Sequence, residues 1–159
     1  MSDSIADRLK LAAFDEEDLA VISAHVQDAV LRVGDMVYLP GEKRFALAMN
    51  RFIWETAETG RRKSFERRRA ALSFDRVLKA RLSNIDRNRP DAVLELLAVG
   101  FEAEDTPAGK VTLIFAGGGA VQLDVEVVEA RLADLGTAWA TQAKPSHNLA
   151  AESAKSGAR

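Results

Sequence analysis

The sequence predicts an α+β domain built mainly as an antiparallel meander of about seven strands, strongly twisted or partly closed into a barrel. Three observations lead there. Between Leu31 and Arg131 apolar and polar residues alternate almost without interruption, and a period of two marks half-buried strands. Short breaks containing Pro and Gly cut that run into segments. Helical spacing is confined to the two ends of the run.

The first element is a helix. Asp15 is a good N-cap, Glu16, Glu17 and Asp18 place negative charge in the first turn, and Phe14 and Leu19 are spaced as a hydrophobic staple. Leu19, Ile22, Val26 and Ala29 then form one apolar stripe. The β-preferring Val30, Leu31 and Val33 end it.

Met36 to Leu39 and Arg44 to Phe52 read as two strands turned by Pro40-Gly41. Glu55 to Glu66 lacks apolar periodicity and predicts a mobile loop. From Ala70 to Leu82 the even positions Ala70, Leu72, Phe74, Leu78, Ala80 and Leu82 are apolar, and only Arg76 interrupts them. That segment is either one strand bent near Arg76 or two strands meeting there at a bulge. Ala92 to Phe101, interrupted only by Glu95, predicts a central strand covered on both faces. Val111–Phe115 and Val121–Val127 predict a hairpin around Gly117-Gly118-Gly119. Val128, Leu132 and Leu135, followed by Gly136, predict a short closing helix, with continuation of the strand to Arg131 as its rival. The globular domain is thus expected over 1–136 and a disordered tail over 137–159. The order of elements resembles the pleckstrin-homology-like architecture, which lacks the leading helix and implies no function.

Composition narrows the classes. Hydrophobic residues at 47% and charged residues at 29% fit a folded globular chain. The absence of cysteine removes thiol catalysis, disulfides and cysteine-based metal centres, and it fits a cytoplasmic protein. No apolar run reaches the roughly 18–20 residues of a membrane helix, and Met1 to Lys10 lacks the core of a secretory signal, so no membrane partner is expected.

The sharpest functional candidate is basic. Arg61, Arg62, Lys63, Arg67, Arg68 and Arg69 put six positive charges into nine positions, and Lys79 and Arg81 extend the stripe. Residues 61–89 carry eight net positive charges against a whole-chain net charge of −2. Guanidinium groups so spaced suit phosphate oxygens, and Phe65 or Trp54 could stack on a base. The competing reading is a solvated face that balances acids elsewhere. Under the sharper reading, salt-sensitive RNA binding weakens when Arg67, Arg68 and Arg69 are neutralised.

Other features carry less. Gly117-Gly118-Gly119 precedes a strand rather than a helix, so it reads as a hairpin and not a phosphate loop. His25 borders the helical stripe and His147 lies in the tail, so neither a triad nor a multi-histidine metal site is expected. Asp124 with Glu126, or Glu95 alone, could do acid–base chemistry if buried. Trp54 and Trp139 read as closure residues of the core.

Several segments together resemble a bacterial family of short proteins, domain of unknown function 2948. They are Ser23-Ala24-His25-Val26-Gln27-Asp28-Ala29-Val30, Arg44-Phe45-Ala46-Leu47, Asn50-Arg51-Phe52 with Trp54, Arg67-Arg68-Arg69, Phe74-Asp75-Arg76-Val77, Phe115-Ala116-Gly117-Gly118-Gly119-Ala120 and Leu132-Ala133-Asp134-Leu135-Gly136. The resemblance spans about residues 10–140 and implies a bacterial origin and one compact domain, but no activity, cofactor or catalytic residue. The residues themselves favour a non-enzymatic binding module that meets RNA, another anion or an acidic protein through the arginine-rich surface, without a cofactor. The alternatives are a small carboxylate-dependent hydrolase or isomerase, and a homodimer joined through sheet edges.

Overall fold

The computed structural model describes residues 8–53, 66–135 and 139–140. Asp15 caps helix α1 (Glu16–Val26) by accepting from the Asp18 amide at 2.8 Å, and Leu19, Ile22 and Val26 are its buried stripe. Phe14 is 56% exposed rather than stapled, with the Arg131 guanidinium 5.9 Å above its ring.

Among the described residues eleven strands follow the chain order β1 (Lys10–Ala13), β2 (Ala29–Arg32), β3 (Met36–Leu39), β4 (Arg44–Phe52), β5 (Glu66–Phe74), β6 (Val77–Ser83), β7 (Val93–Ala103), β8 (Gly109–Phe115), β9 (Ala120–Val125), β10 (Ala130–Asp134) and β11 (Trp139–Ala140). They form one antiparallel sheet in the order β1-β10-β5-β4-β2-β7-β8-β9-β6, with β3 added to β4 and β11 to β5. The expected seven strands are therefore too few. β1 is a four-residue Lys-Leu-Ala-Ala strand too short to show a period, and β2 is equally brief.

The sheet order is not a simple meander, because β10 inserts between β1 and β5 and β2 pairs with β7. Nor does the sheet close: its path ends at β1 and β6. The expected C-terminal helix is replaced by β10. Ala130, Leu132 and Asp134 are buried in alternation, while Leu135, the third member of the helical spacing, is 53% exposed. The apparent i, i+4, i+7 pattern is a coincidence of one buried residue in the connection before β10 (Val128), one inward strand residue (Leu132) and one surface leucine.

Between β5 and β6 the chain turns a corner at Asp75-Arg76, where Arg76 adopts φ 61°. β5 pairs with β4 and β10, whereas β6 pairs with β9, so two strands meet there as one of the sequence alternatives had it. The corner inverts the alternation, since the buried Phe74 and Val77 lie three positions apart. Val77 is fully buried and Leu78 is 52% exposed, the reverse of what the even-numbered pattern implies. The register shift between Val77 and Lys79 then inserts one residue and restores the even-numbered face, so that Ala80 and Leu82 pack against the core.

β7 is interior in the sheet order but covered on one side only. Leu96 and Val99 face the core beneath α1, where Ser23 Oγ accepts from the Val99 amide at 2.9 Å, while Val93 and Leu97 face solvent. The β8–β9 hairpin forms as expected, with Gly117 at φ 87° and Gly118 at φ 96°, values that a residue without Cβ reaches at no steric cost. One continuous core joins Leu19 and Ile22 of α1 to Phe45, Leu47, Leu72, Phe74, Leu113 and Leu123. Of the loop expected over 55–66, residues 55–65 lie outside the described residues and Glu66 instead opens β5; the tail also lies outside them, apart from Trp139–Ala140, which pairs with Arg67 and Glu66.

Candidate functional site

Antiparallel register sorts the basic run by parity. Asn50 lies opposite Arg69, Arg51 opposite Arg68 and Phe52 opposite Arg67. Successive strand residues point to opposite faces, so Arg67 and Arg69 emerge on the outer face and Arg68 and Arg51 turn inward. Arg68 is 4% exposed and Arg51 is fully buried. Both meet Asp134 of β10. Arg51 Nε donates to Oδ1 at 2.8 Å and its NH2 to Oδ2 at 3.1 Å, and Arg68 NH1 donates to Oδ2 at 3.1 Å. The Leu9 amide adds a fourth donor at 2.8 Å. Burial pushes the Asp134 carboxyl upward, but these hydrogen bonds and the Arg51 charge outweigh it and hold the group below the usual carboxylate range.

Arg68 therefore braces the sheet from inside and presents nothing to a partner. Neither Arg51 nor Asp134 stands out as a site by residue type. The signal was their parity: Arg51 continues the inward series Phe45, Leu47, Met49, and Asp134 continues Ala130, Leu132.

On the outer face, Arg67 and Arg69 stand at one end of a surface shared by β5, β4, β2 and β7. The Arg67 guanidinium lies 5.7 Å over the Phe52 ring, a cation–π arrangement. An open cleft of about 310 Å³ beside it is lined by Asp28, Val30, Phe52, Arg67 and Glu95. Burial draws the Arg67 guanidinium down from its ordinary value, while the charges of Asp28 and Glu95 pull it back up. It remains a cation throughout. Asp28 holds φ 67°, a left-handed conformation that the short Asp side chain tolerates. Arg69 lies 3.8 Å from Asp35. The outer face is thus a mixed surface of arginines and carboxylates.

The remaining basic candidates are not gathered there. Lys79 is exposed on β6, and Arg81 is clamped by Asp124 across the β6–β9 ladder at 2.9 Å. Arg61, Arg62 and Lys63 lie outside the described residues, as do Phe65, Trp54 and His147; the Trp139 side chain is likewise outside.

The carboxylate candidates separate as well. Asp124 is held by Arg81, whereas Glu126 meets Lys43 at 3.2 Å and Arg76 at 3.8 Å. Glu95 is exposed at the edge of the open cleft, opposite Val30. His25 Nδ1 donates to the Val21 carbonyl at 3.0 Å at the end of α1. Among the described residues no cluster of three His, Asp or Glu side chains could hold a metal ion, and no helix is long and apolar enough to cross a membrane.

No curated protein and no solved structure matches the chain. The profile of a family described as Protein of unknown function (DUF2948) matches residues 9–147, from just before β1 to beyond β11. With one profile spanning nearly all of the sheet, the chain belongs to the DUF2948 family.

Proposed function

We propose that this domain is a non-enzymatic binding module whose contact surface is the outer face around Arg67 and Arg69, and that its partner is an acidic protein segment. The observation that carries the reading is the Arg67 guanidinium, half-buried over Phe52 and beside an open cleft. A cation already stripped of part of its water loses less on meeting a carboxylate, and the aromatic plate fixes its position. Arg69, two residues along the same face, supplies a second donor fork.

An acidic peptide is favoured over RNA because, among the described residues, the two outward arginines of β5 form a compact pair rather than a track, and Arg81 is already bound to Asp124. The carboxylate-enzyme alternative has less support, since Asp124 and Glu126 serve separate ion pairs.

Fluorescence anisotropy tests the proposal with labelled hexaglutamate and a labelled single-stranded RNA at low salt. Hexaglutamate is expected to bind, to be released by added salt, and to be lost in the double variant Arg67→Glu/Arg69→Glu. Absence of hexaglutamate binding, or preference for the RNA, overturns the choice of partner.

A further inference from the structure

The sheet has a window in its wall. β3 pairs only with β4 and β6 pairs only with β9, so each presents an edge without a strand partner among the described residues. Those two edges border one cleft of about 260 Å³, to which β3 contributes Met36 and Tyr38 and β6 contributes Ala80 and Leu82. One end of the cleft is closed where Tyr38 Oη donates to the Val77 carbonyl at 3.0 Å and the Val77 amide donates to Lys43 O at 2.9 Å. The other end is closed by the turn from β6 to β7, which reaches across so that the Pro90 carbonyl accepts from Gly34 N at 2.8 Å. Arg87 of that turn is exposed and lines the cleft.

Three features of this window point to a single kind of occupant. Backbone groups on free strand edges seek a strand, which satisfies them in series. The interior side chains Met36, Tyr38, Ala80 and Leu82 are half-buried apolar groups packed against the core. The outer rims are apolar too, with Val37 on β3 at 46% exposure and Leu78 on β6 at 52%. A strand lying between them would have apolar neighbours on both faces, which calls for a run of apolar residues rather than an alternating one. The single charge on the lining is the cation of Arg87.

We propose that the window between β3 and β6 receives an extended apolar segment of a partner protein, which joins the sheet as an added strand and sets a carboxylate against Arg87. This surface is separate from the face around Arg67 and does not depend on it. Main-chain pairing supplies the affinity, and the interior pocket together with Arg87 supplies the selectivity.

The test uses the full chain and a fluorescein-labelled peptide, Thr-Val-Val-Val-Val-Glu, followed by anisotropy. The same peptide N-methylated at its two central amides keeps its side chains but loses two donors. Binding of the first peptide is expected, with N-methylation, Ala80→Glu and Arg87→Glu each weakening it by about tenfold or more. Circular dichroism and a thermal melt check each variant. Arg87 is exposed, so Arg87→Glu and the methylated peptide decide the question if Ala80→Glu fails to fold. No anisotropy change with the parent peptide overturns the proposal, as does equal binding of the methylated form. Sedimentation as a dimer that Ala80→Glu dissociates also overturns it, because the occupant is then a second copy of this chain.

Discussion

Arg51 and Asp134, far apart in sequence, form a salt bridge of 2.8 Å with neither side chain exposed to solvent. It ties β4 to β10 across the intervening β5, which contributes Arg68 to the same carboxylate. Removing the carboxylate leaves two inward guanidinium groups without their shared anion. Asp134→Asn is expected to destabilise the fold by about 3–5 kcal/mol, the range for breaking a buried pair. Chemical denaturation compared with the parent chain measures it; a loss below about 1 kcal/mol contradicts the role given to this cluster.

The same carboxylate sets an acid limit. Its native pKa is depressed below the unfolded value by Arg51, the Leu9 amide and Arg68, against the opposing effect of burial. A depressed carboxylate contributes stability that is present above its unfolded pKa of about 3.9 and disappears as pH falls toward the native value. Melts between neutrality and acid should show stability falling below roughly pH 4, and Asp134→Asn should flatten that part of the curve. An unchanged slope in the variant means that other groups govern acid unfolding.

Neighbouring arginines should behave differently. Arg67→Gln and Arg69→Gln lie on the outer face and are expected to change stability by only about 0.5–1 kcal/mol, partly through lost contact with Phe52. Arg68→Gln removes an inward donor to Asp134 and should cost about 2–4 kcal/mol. Thermal melts of the three single variants compare them directly. Equal effects would contradict the alternation of faces along β5.

The bulge after the corner makes a paired test. Val77→Ala empties part of a fully buried site and should cost about 2 kcal/mol. Leu78→Ser, at a residue 52% exposed, should stay within about 0.5 kcal/mol of the parent. The even-numbered alternation of the sequence implies the opposite ranking, so urea titration of both variants separates the two registers.

Gly109 opens β8 against the side chain of Phe101. A Cβ there would meet the Phe101 ring at 2.7 Å and the Glu102 carbonyl oxygen closer still. Gly109→Ala is therefore expected to lose about 1–3 kcal/mol, because backbone cannot yield as a side chain does. Gly41→Ala, where a Cβ meets nothing within 4 Å, is the control for the same measurement.

Local signals in the sequence were faithful where one element decides its own structure. Asp15 and its acidic neighbours mark α1, Met36–Leu39 and Arg44–Phe52 fall at the observed bounds, and the glycines of 117–119 make their hairpin. Sheet order was not legible, because pairing of β10 with both β1 and β5 depends on contacts between distant segments. The closing helix failed because a strand with one exposed neighbour can imitate helical spacing over three residues. For the candidate site, charge alone grouped Arg67, Arg68 and Arg69; parity, already written in Phe45, Leu47, Met49 and Arg51, separates the middle one. The cleft beside Arg67 was not legible, since Asp28 reaches it from the turn before β2 and Glu95 from β7 only through the folded order of strands.

Among the described residues β1 has one ladder, and its mate lies more than a hundred positions further along the chain: Lys10 stands opposite Ala133. At about 5–20 residues per second, roughly 6–25 s separate the synthesis of the two segments. Throughout that interval Leu9 and Leu11, later packed on the core, stay without their hydrogen-bonded neighbour. β1 thus waits for a mate made long after it, and chaperones have that interval in which to hold it.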